Sequence, residues 1–306
     1  MFTFLTFHVE KQKGDAINVV KQNAAPRNIY RELISLVFQS ASLFHPNCKR
    51  VMLSDQESPF DYLDHDIEVH RRKTDTDNIP LMLNRLLTQI SYVRSNDSRS
   101  NLTFLDSDIL INANLEDLFQ QDFDIALTYR DFEDMPINWG VMFISQQGQS
   151  SAIGFLEEVA KVYQERYLTS DIFWCDQYAL MDVIGRERFF NRQSDTLCVH
   201  NTKILLIPCS VYNFSPEPTL DSIVPELKDK KILHFKGPRK RLMALYWNTY
   251  LKARKHSSIA QVPLLWFKKT QLRFKLEQER WVSRVLFVVS NLQRSAKAVL
   301  KPKSSI

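Results

Sequence analysis

The 306-residue chain is short of glycine, with 6 Gly beside 12 Pro, which excludes a fibrous or low-complexity protein. Its four cysteines, Cys48, Cys175, Cys198 and Cys209, include no C-x-x-C pair, so neither a zinc cluster nor a disulfide framework is expected and the thiols read as reduced. No uncharged apolar run reaches the ~18 residues that a membrane-spanning helix needs. The apolar stretch at the N-terminus is short, has no Lys or Arg before it and lacks a small-residue cleavage site. It therefore reads as a first strand and not as a leader, and a cytoplasmic protein is expected. In that setting Asn101-Leu102-Thr103 matches a glycan acceptor site only by accident.

What is present is an ordinary soluble composition, 44% hydrophobic and 25% charged. The net charge of +5 hides a split: residues 228–306 hold 20 Lys and Arg against 3 Asp and Glu, a balance of +17, which leaves −12 for residues 1–227. Such asymmetry points to an anionic partner at the C-terminal end, namely a membrane surface, a nucleic acid or a phosphorylated substrate. From Trp281, the residues Val282, Val285, Leu286, Val289, Leu292, Ala296 and Val299 follow helical spacing, with Arg284, Arg294 and Lys297 elsewhere on the wheel. A basic amphipathic helix of this kind suits the surface of an anionic bilayer on the inner face of a membrane; packing on the same chain or on a second subunit is the alternative. Nucleic acid is not expected, because no recognised binding module accompanies the charge.

Strand-like and helix-like segments alternate along the first 170 residues, the pattern of an α/β protein with a mainly parallel central sheet flanked by helices. Strands are expected over 2–9, 50–54, 67–70, 102–111, 123–129, 137–144, 196–207 and 231–235. Helices are expected from Pro26, from Pro80 to about Val93, over 151–167 and over 175–184. Ser215–Thr219 reads as a rigid loop of polyproline character. Beyond 240 the pattern turns helical and basic, so the chain divides into a catalytic-type unit, 1–240, and a basic helical region, 241–306.

Within the run Leu102–Ile111, Asp106 and Asp108 stand one residue apart. On a strand both would point to one face and Ser107 to the other, making a pincer. Two carboxylates so close, beside a buried strand, lose hydration and repel each other unless a cation, a proton or a ring of donors intervenes. Mg²⁺ or Mn²⁺ does this while leaving open positions for phosphate oxygens. The duller reading is a strand running into a solvated turn. Further along, His234-Phe-Lys-Gly-Pro-Arg-Lys240 combines an imidazole suited to Mn²⁺, a glycine, and the cations Lys236, Arg239 and Lys240 that can neutralise phosphate. Read alone, these are a structural histidine and a solvated basic face. Asn138 before Gly140 can be a bulge, and Asp176-Gln177 can begin a helix.

In this order the motifs resemble family 8 of the glycosyltransferases, over roughly residues 80–240. They are Asp106 and Asp108, Asn138 to Met142, Asp176-Gln177, Tyr212-Asn213, then His234, Gly237 and Lys240. The resemblance implies a Rossmann-like type A nucleotide-sugar transferase fold and transfer of a sugar, with retention, from a nucleoside diphosphate, UDP in the first instance, to a glycan or lipid-linked acceptor. It implies Asp106, Asp108 and His234 as ligands of Mn²⁺ or Mg²⁺. Gly237 and Lys240 would hold the diphosphate, and Asn138, Asp176 and Gln177 would surround the sugar, the last two as catalytic residues. Arg85 and Ser107 would lie against the donor. The chain departs from the family at Thr6–Lys11, where an Asp followed by Asn-Tyr is usual, and at Arg241-Leu242, where Pro-Trp is common. Two other classes share part of the pattern: a haloacid-dehalogenase-type phosphatase, whose strand also ends in Asp-x-Asp, and a non-catalytic protein that binds sugar nucleotides or glycans.

Overall fold

The computed structural model describes residues 1–10, 27–73, 78–95, 100–170, 172–190, 194–216, 227, 229–252 and the positions 274, 278, 281 and 285. In chain order the elements are β1 (Phe2–Phe7), α1 (Arg27–Phe44), β2 (Lys49–Ser54), β3 (Ile67–Arg71), α2 (Leu81–Ser95), β4 (Asn101–Leu105) and β5 (Ile109–Ile111). There follow β6 (Ile125–Tyr129), β7 (Ile137–Ile144), α3 (Gln149–Arg166), α4 (Cys175–Ile184), β8 (Thr196–Val199) and β9 (Thr202–Pro208). The last are α5 (Cys209–Tyr212), β10 (Ile232–His234), a 3-10 turn (Gly237–Leu242) and α6 (Met243–Tyr246).

Eight strands form one twisted sheet in the order β3-β2-β1-β4-β7-β6-β9-β8. The β1–β2, β2–β3, β1–β4 and β6–β9 pairs are parallel, while β7 runs antiparallel to β4 and β6, and β8 to β9. The expected α/β architecture with a mostly parallel sheet is therefore what the chain adopts. Side-chain alternation in β1 divides the core in two. Leu5 packs with α2, α3 and α4 on one face, and Phe4 packs with α1, β5, β10 and α6 on the other. Leu242, Met243, Tyr246 and Leu251 are buried in that second cluster.

The structure corrects two strand expectations. Leu102–Ile111 is not one strand: β4 stops at Leu105, Asp106 lies just past its end, and Ser107 and Asp108 form a turn. β5 then leaves the main sheet to pair antiparallel with β10, with His234 opposite Ile109. Strand alternation therefore does not orient the two carboxylates; the turn does. Its ends are fixed by backbone hydrogen bonds, Asp106 N–H to the Gly140 carbonyl at 2.8 Å and Phe235 N–H to the Asp108 carbonyl at 2.8 Å. The extended run 196–207 is likewise a tight hairpin, turning at His200 and Asn201 with φ of 47° and 63°. Two consecutive positive φ values match the twist of the flanking strands, a turn usually marked by glycine; His-Asn carried no such mark.

All four cysteines are free. Among the described residues no helix is long and apolar enough to cross a membrane. The amphipathic helix expected from Trp281 lies outside the described residues except for Trp281 and Val285, and of the Ser215–Thr219 loop only the first two residues are described.

Ser40, buried in α1, ties the β5 backbone to that helix, accepting from the Ile111 N–H at 3.0 Å and donating to the Val37 carbonyl at 2.8 Å. Replacing it by alanine leaves a buried N–H unpaired. Ser40→Ala is expected to lower unfolding stability by about 1–3 kcal/mol in urea titrations; a change below ~0.5 kcal/mol would mean that the strand is held from elsewhere.

Candidate metal centre

In open α/β sheets ligands gather beyond the carboxyl ends of the strands, where the strand order reverses. Here that place lies between β1, whose neighbours on one side are β2 and β3, and β4 on the other. Asp106 and Asp108 follow β4 directly, and β10 delivers His234 to the same spot. One ligand atom from each of the three lies within 4.8 Å of the others. His234 Nε2 stands 3.1 Å from Asp108 Oδ1 and 3.7 Å from Asp106 Oδ2. Asp108 and His234 are buried, while Asp106 stays a third exposed.

The orientation of the imidazole is set from behind. Asn213 points its Nδ2 at three acceptors, Thr128 Oγ1 (2.8 Å), the Asn138 carbonyl (3.1 Å) and Asn138 Oδ1 (2.9 Å). Its Oδ1 therefore accepts, and the partner is His234 Nδ1 at 2.7 Å. With Nδ1 committed to Asn213, Nε2 is the ring nitrogen turned to the two carboxylates, an arrangement suited to a cation in the middle. Two hard oxygens plus one imidazole are a donor set that fits Mn²⁺, and fits Mg²⁺ less well. Burial alone would raise the Asp108 carboxyl, but His234 and then Lys240 outweigh it and hold the group below the usual carboxylate range. It is ionised at neutral pH, as a metal ligand must be.

Gly140 of β7 forms the floor. A Cβ there would fall 2.7 Å from Asp106 Oδ2 and against the His234 ring. No side chain fits without displacing two of the three prospective ligands.

Around this cage the sequence-nominated residues take distinct places. Arg85 of α2 is buried between two carboxylates, with Nη1 2.7 Å from Asp106 Oδ1 and Nη2 2.5 Å from Asp176 Oδ2. Burial opposes the guanidinium charge, and the two carboxylates overcome that and raise its affinity for the proton. Burial likewise raises the Asp176 carboxyl against the pull of Arg85. Because guanidinium does not give up its proton, the pair is ionic. Asp176 thus lies within the constellation, engaged with Arg85. Gln177 accepts through Oε1 from the Trp139 N–H at 3.2 Å, which leaves its amide N–H groups to point elsewhere. Asn138 Oδ1 accepts from the Gly140 N–H at 3.3 Å as well as from Asn213. Lys240 Nζ reaches Asp108 Oδ2 at 3.4 Å and Tyr30 Oη at 3.3 Å. Gly237 opens the 3-10 turn at a φ of 57°, a conformation that favours glycine. Ser107 sits half-buried at the tip of the turn.

Two functional neighbours escaped sequence reasoning. Tyr30 of α1 stacks on His8 just past β1, with ring centroids 5.2 Å apart, and burial drives the His8 imidazole down to about 4, so it is neutral. Thr128 braces Asn213 and donates to the Asn138 carbonyl at 2.6 Å. Neither lies in a recognisable motif; only the strand order brings them in.

The same fold recurs among solved structures. The glycosyltransferase GlyE of Streptococcus pneumoniae TIGR4 superposes with a TM-score of 0.50 and 14% identity, over 88% of this chain and 63% of its own. The chain shares the fold of that glycosyltransferase. The galactosyltransferase LgtC, solved with donor and acceptor sugar analogues, gives a TM-score of 0.45 and 13% identity over 77% of this chain and 87% of its own. A glycosyltransferase involved in glycosylating the major capsid of PBCV-1 gives 0.45 and 14%, over 80% and 98%. At such identities the likeness concerns the fold, it is GlyE that carries it, and the chain spans under two thirds of GlyE's length. No protein-family model matches the chain, and no curated protein matches its sequence.

Asn213→Ala removes the group that orients His234. It is expected to weaken Mn²⁺ binding about 10–100-fold by calorimetry while the protein stays folded. Gly140→Ala should abolish binding outright; retained affinity in either variant would show that the imidazole is not a ligand.

Proposed function

We propose that the protein is a metal-dependent glycosyltransferase that moves a sugar from a nucleoside diphosphate donor, with UDP as the expected nucleotide, to a glycan or lipid-linked acceptor. The observation that carries this reading is the cage of Asp106, Asp108 and His234 at the switch point of the sheet, with Lys240 beside it. In it, Asp106, Asp108 and His234 would hold Mn²⁺ or Mg²⁺. Such an ion would supply positive charge against the diphosphate as the glycosidic bond breaks.

The other residues bind and position. Lys240 adds a second positive charge for the diphosphate, and the turn opened by Gly237 brings that lysine to Asp108. Ser107, at the tip of the turn, lies against the donor. Arg85 spans Asp106 and Asp176, fixing one prospective ligand relative to the start of α4, where Gln177 presents its amide to the sugar. Asn138 completes the sugar side. Asp106, Asp108 and Asp176 are each engaged by a cation or the cage, so no free carboxylate stands ready as a nucleophile among them. Retention, the outcome that the family resemblance implies, would then run through a short-lived oxocarbenium-like species with Gln177 on the front face and not through a covalent intermediate. A phosphatase of the haloacid-dehalogenase type would complete its site with a lysine and an acidic pair; here the third member is a histidine.

The tail belongs to this reading as a contact with an anionic membrane surface on the cytoplasmic side. It is supported by the +17 balance of residues 228–306 and by Phe274, Trp281 and Val285, which are helical and exposed. A subunit contact is the competing use of the same face.

Asp108→Asn keeps the size of the side chain and removes its charge. Release of nucleoside diphosphate from a panel of UDP- and GDP-sugars with Mn²⁺ is expected to fall by about 100-fold or more. Chelation with EDTA should do the same to the unmodified protein. Turnover that survives both treatments would refute the assignment.

A further inference from the structure

Lys240 is held on one side by a charge and on the other by a neutral group. Its Nζ stands 3.4 Å from Asp108 Oδ2 and 3.3 Å from Tyr30 Oη, and lies 5.2 Å from the centroid of the Tyr30 ring. The tyrosine is itself fixed. It belongs to the first turn of α1, packs against the core cluster beneath that helix, and stacks on His8 with ring centroids 5.2 Å apart and an interplanar angle of 26°. His8 in turn is tied to β2: its N–H donates to the Leu53 carbonyl at 3.1 Å, and its carbonyl accepts from Ser54 Oγ at 2.6 Å. The phenol oxygen is thus carried to the lysine by the packed scaffold.

Hydrogen-bond accounting shows what this pair has left to give. An ammonium only donates, so Tyr30 Oη accepts from Nζ, and a phenol that accepts keeps its own proton to donate. Among the described residues nothing receives that proton. The ammonium has three N–H groups, and its contacts are one carboxylate oxygen and one phenol. Asp108 has a single charge to divide between Lys240 and the cage, since its other oxygen faces His234 Nε2 at 3.1 Å. Two donors, one charged and one neutral, therefore stand 3.3 Å apart beside the prospective metal ligands with hydrogens unspent. Donors so close can take the oxygens of one tetrahedral anion.

Resting on the transferase reading above, we propose that Tyr30 is a further donor to the diphosphate, its hydroxyl and Lys240 Nζ together receiving the oxygens of one phosphoryl group. No bond is made or broken at the tyrosine; it holds the leaving group, and its proton stays on the phenol. Hydrogen bonds to charged oxygens are the strong kind, and a neutral donor adds hold without adding a charge that must be neutralised again when the diphosphate departs. Neither the Asp-x-Asp nor the His-x-x-Gly-x-x-Lys pattern nominates this residue. α1 delivers it from 210 positions before the lysine it serves.

The probe is inorganic pyrophosphate, which carries neither base nor sugar, titrated by calorimetry into the full chain with Mn²⁺ present. Tyr30→Phe retains the ring that stacks on His8 and removes only the hydroxyl. It is expected to weaken pyrophosphate binding about 10-fold or more, while Mn²⁺ binding in the absence of pyrophosphate changes by less than about 2-fold. The loss should persist in a Lys240→Arg background, where a cation remains, because the hydroxyl donates for itself. A loss smaller than about 3-fold, an equal loss of Mn²⁺ affinity, disappearance of the loss in the Lys240→Arg background, or failure of the unmodified protein to bind pyrophosphate overturns the proposal. The transferase reading is tested apart from it, by whether UDP or GDP with Mn²⁺ raises the melting temperature of the unmodified protein beyond the rise that pyrophosphate gives. With no such excess that reading falls, and the tyrosine is still judged by pyrophosphate alone.

Discussion

An imidazole nitrogen facing two carboxylates, at 3.1 and 3.7 Å, is the constraint around which this crevice is arranged. Two carboxylates do not share so small a space by themselves. What makes the arrangement tolerable is the ring of donors outside it: Asn213 on the far side of His234, Arg85 on Asp106, Lys240 on Asp108, and the backbone N–H groups that anchor the turn. The missing side chain at Gly140 is the complementary feature, since His234 and Asp106 fill the space that a Cβ would need.

The fold serves this constraint economically. β4 supplies a buried strand and then stops, so that the aspartates lie on a turn and not on a sheet surface. A separate two-stranded ladder, β5 with β10, swings the histidine in from more than a hundred residues away in sequence. α1, through Ser40, holds that ladder against the main sheet. Chain connectivity is dispersed, but every contributing element ends at the same edge.

Much of this was legible in the sequence. Alternating apolar segments gave the α/β class, and the Asp-x-Asp and His-x-x-Gly-x-x-Lys patterns nominated the three residues that converge. What could not be read was anything set by tertiary register. Strand alternation is a local rule, and it failed at Asp106 and Asp108 because β4 ends there. The hairpin at His200-Asn201 lacks glycine, so it left no turn signal. Tyr30, His8 and Thr128 are undistinguished in one dimension, and only strand order makes them neighbours of the site. The contact between Arg85 and Asp176 is equally unreadable, because a buried ion pair between two helices has no signature in spacing.

That ion pair has a consequence for how firmly the centre can grip an ion. Asp106 divides itself, one oxygen turned to Arg85 and the other to the cage, so an incoming ion meets less than the full charge of two aspartates. The guanidinium acts as a permanent counterweight wired into the scaffold. A site tempered in this way is suited to picking up its ion together with a charged cargo and surrendering it when the cargo leaves, behaving as a docking clamp that resets after each cycle instead of a fixed structural rivet.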